Sequence, residues 1–600
     1  MIKMLSGNEA VARGMWEAGV AVASAYPGTP STEILENYAL FPTVYAEWAS
    51  NEKVAVDVAV GAAYAGHRGM AVMKHVGLNV AADSFMYVSM TGLEAGLVIV
   101  TADDPAMHSS QNEQDNRTFA KFGRLPCLEP SDSQEAKDMV LTAFELSERF
   151  DTPVLLRLTT RICHSTSSVE LGERIAPSAE PKPFPRNPAK YVMVPGNAVK
   201  RHPVIEQRIH DIAAFAETFP CNRLEPGGRS LGIITCGVAF QYAREVFPQA
   251  SILRLGMTWP LPEKLIRKFA KSVKRLIVIE ELDPFIEEAV HLMGIVVEGK
   301  SIFPITGEFD PRVVRESAIR SGLLPESAHI PLPDLETGPL PGRPPVLCPG
   351  CPHRPTFYIL NKLNVPVNGD IGCYTLALIP PLSAIHTCGC MGAGIGVAHG
   401  AAKAGSPEHH VAVIGDSTFF HSGIPALVNV VYNHSPVTTV ILDNRITGMT
   451  GHQDNPGTGR TLLRKKTVRI ELEPLVRSLG VQHVRIVPGF DVKAIEKALK
   501  EYVKLDEPAV LIVEEPCTLL PDVRKRWVPL DVLADKCNGC TLCFRIGCPA
   551  ILKSEELDEK TQRPKAQIDT GMCTGCEVCA QICPRKAITF RPADMEGGGS

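Results

Sequence analysis

The stretch 529–595 constrains this chain more than any other. The chain has 18 cysteines, and eight of them crowd between Cys537 and Cys583. They form two nearly equal runs, Cys537-x2-Cys540-x2-Cys543-x4-Cys548-Pro549 and Cys573-x2-Cys576-x2-Cys579-x3-Cys583-Pro584. So short a stretch, with little apolar sequence, cannot bury a sufficient core, so metal or cross-links must hold it. Glu9, Arg13 and Glu17 interrupt the N-terminal apolar residues. No export signal is therefore read there, and a cytoplasmic protein is expected. In a reducing cytosol, clustered cysteines bind metal more often than they form disulfides. Zinc sites usually space their ligands as two separated pairs, which two triplets each followed by Cys-Pro do not match. Thiolates are soft anionic donors, and the short spacing lets three of them wrap one face of an iron–sulfur cubane.

The rest of the chain is ordinary by comparison. Its 600 residues are too many for one core, which predicts about three to five domains. The net charge of −5, with no long basic block, argues against nucleic acid or an anionic membrane as partner. No apolar run is long enough to span a bilayer. Residues 1 to 175 alternate buried-strand segments (GMAVMK, Gly69–Lys74; GLVIVT, Gly96–Thr101; PVLLRL, Pro153–Leu158) with small-residue helices such as Val54–Ala65, an α/β pattern. The N-terminus itself reads as an amphipathic helix running into a strand. A Pro-rich stretch from Ala176 to Pro188 reads as a linker. A second α/β unit, about 228–325, carries strands at Leu231–Thr235 and Arg275–Glu280, and EEL at Glu280–Leu282 reads as a solvated strand cap. A second Pro-rich segment ends at Pro345, and a third α/β unit follows to about 525.

The second cysteine run has the spacing of bacterial ferredoxins, and the first has one extra residue before its last cysteine. By that resemblance the fourth ligand of each cubane comes from the other run. One cluster takes Cys537, Cys540, Cys543 and Cys583; the other takes Cys573, Cys576, Cys579 and Cys548. Two clusters in series form a wire for single electrons.

In the third α/β unit, Gly415-Asp416-Ser417 follows the apolar strand VAVI, and Asn444 ends the strand TTVILD. Parallel strands thus deliver an Asp and an Asn to the sheet edge where α/β proteins bind ligands. Mg²⁺ needs hard oxygen donors of this kind, and Gly415 allows close approach to the backbone. The continuation DNRITGMTGHQ makes the segment resemble the diphosphate-binding domain of the thiamine-diphosphate-dependent 2-oxoacid:ferredoxin oxidoreductases. That resemblance implies Asp416, Asn444 and the carbonyl of Ile446 as magnesium ligands. Upstream lie CPGCPHR (Cys348–Arg354), NGDIGCYT and HTCGCMGAGIG. The Gly392-x-Gly394-x-Gly396 run lacks G-x-G-x-x-G spacing, and no strand is expected before it, so it is read as close helix packing. The resemblance further implies a third, proximal 4Fe–4S cluster on Cys348, Cys351, Cys373 and Cys517, with Cys388 and Cys390 as possible substitutes for one ligand. Zinc or unligated core cysteines are the alternative.

Residues 1–175 resemble the pyrimidine-binding domain of the same family through Tyr26-Pro-Gly-Thr-Pro-Ser31, Ala49-Ser-Asn-Glu52, KHVGLNVAAD and VTADDPAMHSSQNEQDNR. A carboxylate on the pyrimidine ring drives the cofactor's own amino group to act as base. The resemblance places that role on Glu52, with Glu47 as competitor, and puts Thr29 near the reacting centre. His75, Asp103 and Asp104 are read as structural.

The implied fold is three doubly wound α/β domains, two of the thiamine-diphosphate-binding fold and one transketolase C-terminal-like, plus a bacterial ferredoxin-type 2×4Fe–4S domain. Expected boundaries are 1–190 (pyrimidine), 191–342 (transketolase C-like), 343–528 (diphosphate and magnesium) and 529–595 (ferredoxin). The order, with CPGCPHR, most resembles the alpha-subunit branch acting on indolepyruvate with coenzyme A and ferredoxin. Members of that kind need a smaller beta subunit, a gamma-type domain, in a heterodimer or α2β2 assembly. A pyruvate or branched-chain 2-oxoacid enzyme is the nearest alternative. Further off stand a non-redox decarboxylase and an electron-transfer protein without thiamine chemistry.

Overall fold

The computed structural model describes residues 1–175, 184–331 and 342–590. Most of each Pro-rich stretch, 176–183 and 332–341, lies outside the described residues. The chain divides into two compact units, Met1–Glu336 and Thr337–Ser600. Among the described residues no helix is long and apolar enough to cross a membrane.

The first unit opens with β1 (Ile2–Ser6), a strand that the sequence reading had merged into the following helix. Helix Gly7–Glu17 begins there because Ser6 and Glu9 form a capping box. Then come β2 (Val22–Ala25), β3 (Tyr45–Trp48), β4 (Gly69–Lys74), β5 (Leu97–Asp103), β6 (Cys127–Leu128), β7 (Val154–Thr159) and β8 (Thr166–Glu170). β4 coincides with the expected segment, while β5 and β7 each start one residue late. Every residue of β5 and β7 is buried, as expected of strands covered on both faces. β1 and β8 pair antiparallel outside the main sheet.

The chain then forms β9 (Arg223–Glu225), β10 (Gly228–Cys236), β11 (Ala250–Leu255), β12 (Met257–Trp259) and β13 (Arg275–Ile279). The main sheet has the order β12-β6-β7-β5-β4-β2-β3 and is parallel except for β12. β13-β10-β11-β9 form a second, four-stranded sheet. β12 thus leaves the second sheet's chain to edge the first. The long helix Pro195–Ala216 also belongs against the first sheet's layer: Arg208 donates to the carbonyls of Asp151 (2.7 Å) and Ser89 (2.6 Å).

Glu280 is not a solvated cap. It is 2% exposed and accepts from Arg117 Nη1 at 2.6 Å and from the N–H groups of Ile286 and Glu287. Arg117, fully buried at the start of helix Arg117–Gly123, also grips Asp115 and the carbonyls of Glu281 and Asp283. Beside it Arg157 donates to Asp103 (2.7 Å) and Glu129 (2.6 Å). This ionic cluster ties the two sheets of the unit together. Removing one member strands the other charges in a dry site, at a cost of about 3–5 kcal/mol. Arg117→Ala is therefore expected to lower the unit's calorimetric midpoint by on the order of 10 °C. An unchanged midpoint would show that the cluster does not hold the sheets.

The second unit carries β14 (Val367–Gly369), β15 (Thr387–Cys388), β16 (His410–Gly415), β17 (Val437–Asp443), β18 (His483–Pro488) and β19 (Ala509–Glu514). They form a parallel sheet of order β15-β14-β16-β17-β19-β18. β15 is a correction: a two-residue strand does precede the glycine run, and helix Ala393–Lys403 follows it. Gly394 serves close packing, since a Cβ there would lie 2.6 Å from the Asn368 carbonyl, whereas Gly396 faces open space.

The C-terminal module completes this unit with β20 (Leu530–Val532), β21 (Ile551–Leu557), β22 (Pro564–Ile568) and β23 (Ile588–Phe590). β20 pairs with β23, and β21 with β22, so the chain before each cysteine run pairs with the chain after the other. The two cysteine loops share a backbone shape. Gly539 and Gly575 have φ of 64° and 75°, and Thr541 and Glu577 have 67° and 59°.

Candidate active site and electron wire

In the first unit, the carboxyl ends of β2, β3 and β4 lie side by side. From them come the loop Tyr26–Ser31, Glu52 and Lys74. Glu52, 5% exposed, starts helix Glu52–Tyr64, two residues earlier than expected, because the Asn51 side chain caps it at Val54 N–H (2.9 Å). Gly77 makes room for its carboxylate: a Cβ there would stand 2.8 Å from Oε1. Glu47 sits in β3, with one oxygen taken by Ser24 Oγ (3.1 Å) and the other by Tyr45 OH (2.6 Å). Thr29 is half-buried in its loop, and its carbonyl accepts from Ser109 Oγ at 3.4 Å. His75 and Asp103 are fully buried, His75 facing Asn112 Oδ1 at 3.0 Å. Asp104 accepts from Ser109 N–H (2.8 Å), Ser110 Oγ (2.7 Å) and Thr160 Oγ1 (2.7 Å), bonds that hold its carboxyl below the usual range against the effect of burial.

In the second unit the register pairs Gly415 with Leu442, bringing Asp416 alongside Asp443 and Asn444. Asp416 is 3% exposed, and burial, then Asp443, pushes its carboxyl up to about 7. Asn455 Nδ2 donates to it at 3.1 Å, a partner the sequence reading missed. Thr447 Oγ1 donates to Ser417 Oγ (2.9 Å), and the Asn444 carbonyl accepts from Cys517 N–H (3.0 Å). Ile446 is buried just beyond. Two carboxylates side by side, with Asn444 next in the chain, are hard oxygen donors of the kind that Mg²⁺ takes. Gly415 lets the Tyr374 ring pack against the strand end, since a Cβ there would meet that ring at 2.9 Å.

The cysteines of the C-terminal module line two cavities. One is bordered by Cys537, Cys540, Cys543 and Cys583. The other is bordered by Cys548, Cys573, Cys576 and Cys579, and by Cys351 of CPGCPHR. Burial pushes Cys543 and Cys576 up to about 11, which a bound cation would reverse. N–H groups of Ala566, Leu530 and Ala587 point at the sulfurs of Cys537, Cys573 and Cys583 at 3.3–3.4 Å, as thiolate ligands require. Among the described residues no three His, Cys, Asp or Glu side chains converge tightly enough for a single metal ion. Four sulfurs border each cavity, the number and kind of donor that a 4Fe–4S cubane takes. The extra residue of the first run is absorbed at Gly547, whose φ is 69°.

Arg354 explains the end of CPGCPHR. It donates to the carbonyls of Leu347 and Cys348 and, across to the module, of Ile546 (3.1 Å) and Gly547 (2.6 Å). Gly350 packs so closely on Thr574 that a Cβ would stand 1.9 Å from its hydroxyl. Cys348, Cys373 and Cys517 lie near one another: burial, then Cys517 and Cys348, pushes Cys373 up to about 11. Cys373 Sγ is also 3.5 Å from where a Cβ on Gly448 would be, beside Asn444. Cys388 and Cys390 are exposed at the end of the edge strand β15.

Three family models match the chain. The pyruvate flavodoxin/ferredoxin oxidoreductase thiamine-diphosphate-binding model matches residues 13–215. The thiamine pyrophosphate enzyme C-terminal binding domain matches 370–513. A 4Fe–4S binding domain matches 566–589. The 2-oxoglutarate synthase subunit KorA of Methanothermobacter thermautotrophicus is 27% identical over 332 residues, 46% of this chain and 86% of that one. The indolepyruvate oxidoreductase subunit IorA of Pyrococcus horikoshii is 40% identical over 628 residues, 97% of this chain and 96% of that one. Its counterpart in Archaeoglobus fulgidus is 40% identical over 617 residues, 97% of each chain. With a thiamine-diphosphate-binding model on each unit and such likeness along nearly its whole length, this chain belongs to the family of the indolepyruvate oxidoreductase subunit IorA.

Proposed function

We propose that the chain oxidatively decarboxylates aryl pyruvates, indolepyruvate foremost, with coenzyme A, giving the aryl-acetyl-CoA and CO2 and passing two electrons singly through 4Fe–4S clusters to ferredoxin. The observation that carries this reading is the meeting of CPGCPHR with the second cysteine cavity. It sets an electron wire against the domain that presents Asp416 and Asn444. Bound thiamine diphosphate supplies the addition to the keto carbon and the sink for the charge that CO2 leaves behind. Asp416, Asn444 and the Ile446 carbonyl would hold the magnesium that anchors it, with Ser417 and Gly415 lining the diphosphate. Glu52 would hold a proton at the pyrimidine ring, and Thr29 would lie by the reacting carbon. A smaller beta subunit of gamma type would complete the enzyme as a heterodimer or α2β2. The purified complex should turn over indolepyruvate and phenylpyruvate faster than pyruvate, with methyl viologen as acceptor. Pyruvate as best substrate would replace this reading with a pyruvate enzyme.

Cys537, Cys540, Cys543 and Cys583 would ligate one cluster, and Cys548, Cys573, Cys576 and Cys579 the second. Cys348, Cys351, Cys373 and Cys517 would ligate a third beside the thiamine site. Three cubanes give about 12 iron atoms per chain, and two give about 8. Anaerobic protein should hold about 12, falling to about 8 in Cys348→Ser/Cys351→Ser. About 8 in both would leave those four cysteines without a cluster.

A further inference from the structure

Lys74 ends β4 in the row of strand ends that carries Glu52 and the Tyr26–Ser31 loop. Its stem passes over Gly28, where a Cβ would lie 3.0 Å from its Cγ and 3.2 Å from its Cδ. A larger residue 28 would press on the lysine stem. Among the described residues its ammonium makes one hydrogen bond, to the Ser109 carbonyl at 3.0 Å. An ammonium has three N–H donors, so this one keeps spare donors. Asp104 and Glu52 are near enough to raise its pKa, yet burial wins and brings it down to about 8. Asp104 is already bonded by Ser109, Ser110 and Thr160, so it is not the missing partner. The geometry is that of a half-buried cation held at the site edge with donors unspent.

We infer that Lys74 receives the carboxylate of the 2-oxoacid substrate. The inference rests on the reading above, in which this edge faces the reaction. It deepens that reading by naming the group that recognises the charge every 2-oxoacid carries. The carboxylate keeps its charge from binding until CO2 departs, so the contact serves the bound substrate and the steps before CO2 loss about equally. Loss of Lys74 should then raise KM by about 10- to 100-fold, the range of a charge-assisted hydrogen bond, while kcat holds within a few-fold.

The test uses the complex with its partner subunit, loaded with thiamine diphosphate and clusters. Lys74→Met and Lys74→Gln are compared with wild type, with thiamine and iron content as controls for folding. Besides KM and kcat for indolepyruvate, competition is measured with 3-(indol-3-yl)propionate and with its amide, neither of which can be decarboxylated. Wild type should prefer the acid by at least about 10-fold, and both variants should bind acid and amide about equally. An acid preference that survives in the variants overturns the assignment. So does a fall in kcat or in bound thiamine with KM unchanged, which would make Lys74 a partner of Glu52 or of the cofactor. A wild-type complex inactive on every aryl pyruvate would instead sink the proposed function, and the same competition run on whichever 2-oxoacid it does oxidise, with that acid's own non-reacting analogue, would still decide Lys74.

Discussion

Replacing Glu52 by alanine is expected to lower 2-oxoacid turnover by about 10²–10⁴-fold, the usual worth of a positioned acid–base group. Its iron content should stay at the wild-type level, because Glu52 lies in the first unit and every candidate cluster cysteine in the second. Glu52→Gln should fail nearly as badly, since an amide of the same shape cannot take up and return the proton. Glu47→Ala is the control. Its carboxylate is already committed to Ser24 and Tyr45 within the sheet, so its loss should cost stability rather than turnover. The helix start explains why the choice falls on Glu52. Asn51 caps the helix, Gly77 clears space for the carboxylate, and the first turn favours a negative charge. Activity of Glu52→Ala within about tenfold of wild type would move the role elsewhere.

Asp416→Ala is expected to lose magnesium and thiamine diphosphate together, weakening cofactor binding by at least about 100-fold. The diphosphate can rest on this edge only with a cation between it and the neighbouring carboxylates. Asp416 and Asp443 lie side by side, and burial with their mutual repulsion already pushes Asp416 up to about 7. Thiochrome fluorescence after dialysis measures what remains bound. Retention of thiamine by the variant would show that magnesium is held elsewhere. Asn455→Ala, which removes a hydrogen bond to Asp416 and one accepted from Gly457 N–H, should give a smaller loss that excess magnesium corrects.

What the sequence shows and what it hides follows from the range of the contacts. The ferredoxin runs are legible because a cubane's ligands are mostly local, and the backbone shape repeats with them at Gly539 and Gly575. Asp416 and Asn444 are legible because each ends a strongly apolar strand, and parallel pairing then aligns the two ends. The strands β4 and β16 are legible for the same reason: burial on both faces leaves an unbroken apolar run. The misreadings are non-local. β1 exists because β8, far along the chain, pairs with it. Glu280 looks like a solvated cap until Arg117 arrives from the start of a distant helix to neutralise it. Thr387–Cys388 becomes a strand only because β14 offers an edge. Lys74 and Arg354 sit inside the motifs KHVGLN and CPGCPHR. Their partners, Gly28 for one and the Gly547 carbonyl for the other, come from elsewhere in the sequence.

The central claim is that carbon chemistry at the thiamine site feeds electrons into the iron–sulfur wire of the same chain. The most direct measurement mixes the anaerobic complex with indolepyruvate and coenzyme A without any external electron acceptor. Cluster absorption and reduced-state EPR are followed while released CO2 is counted. The account predicts bleaching of the clusters and an EPR signal of reduced 4Fe–4S centres, with CO2 release stopping once the clusters are filled and none of this occurring in Glu52→Ala. Continued CO2 release while the clusters stay oxidised would contradict it and make the chain a non-redox decarboxylase.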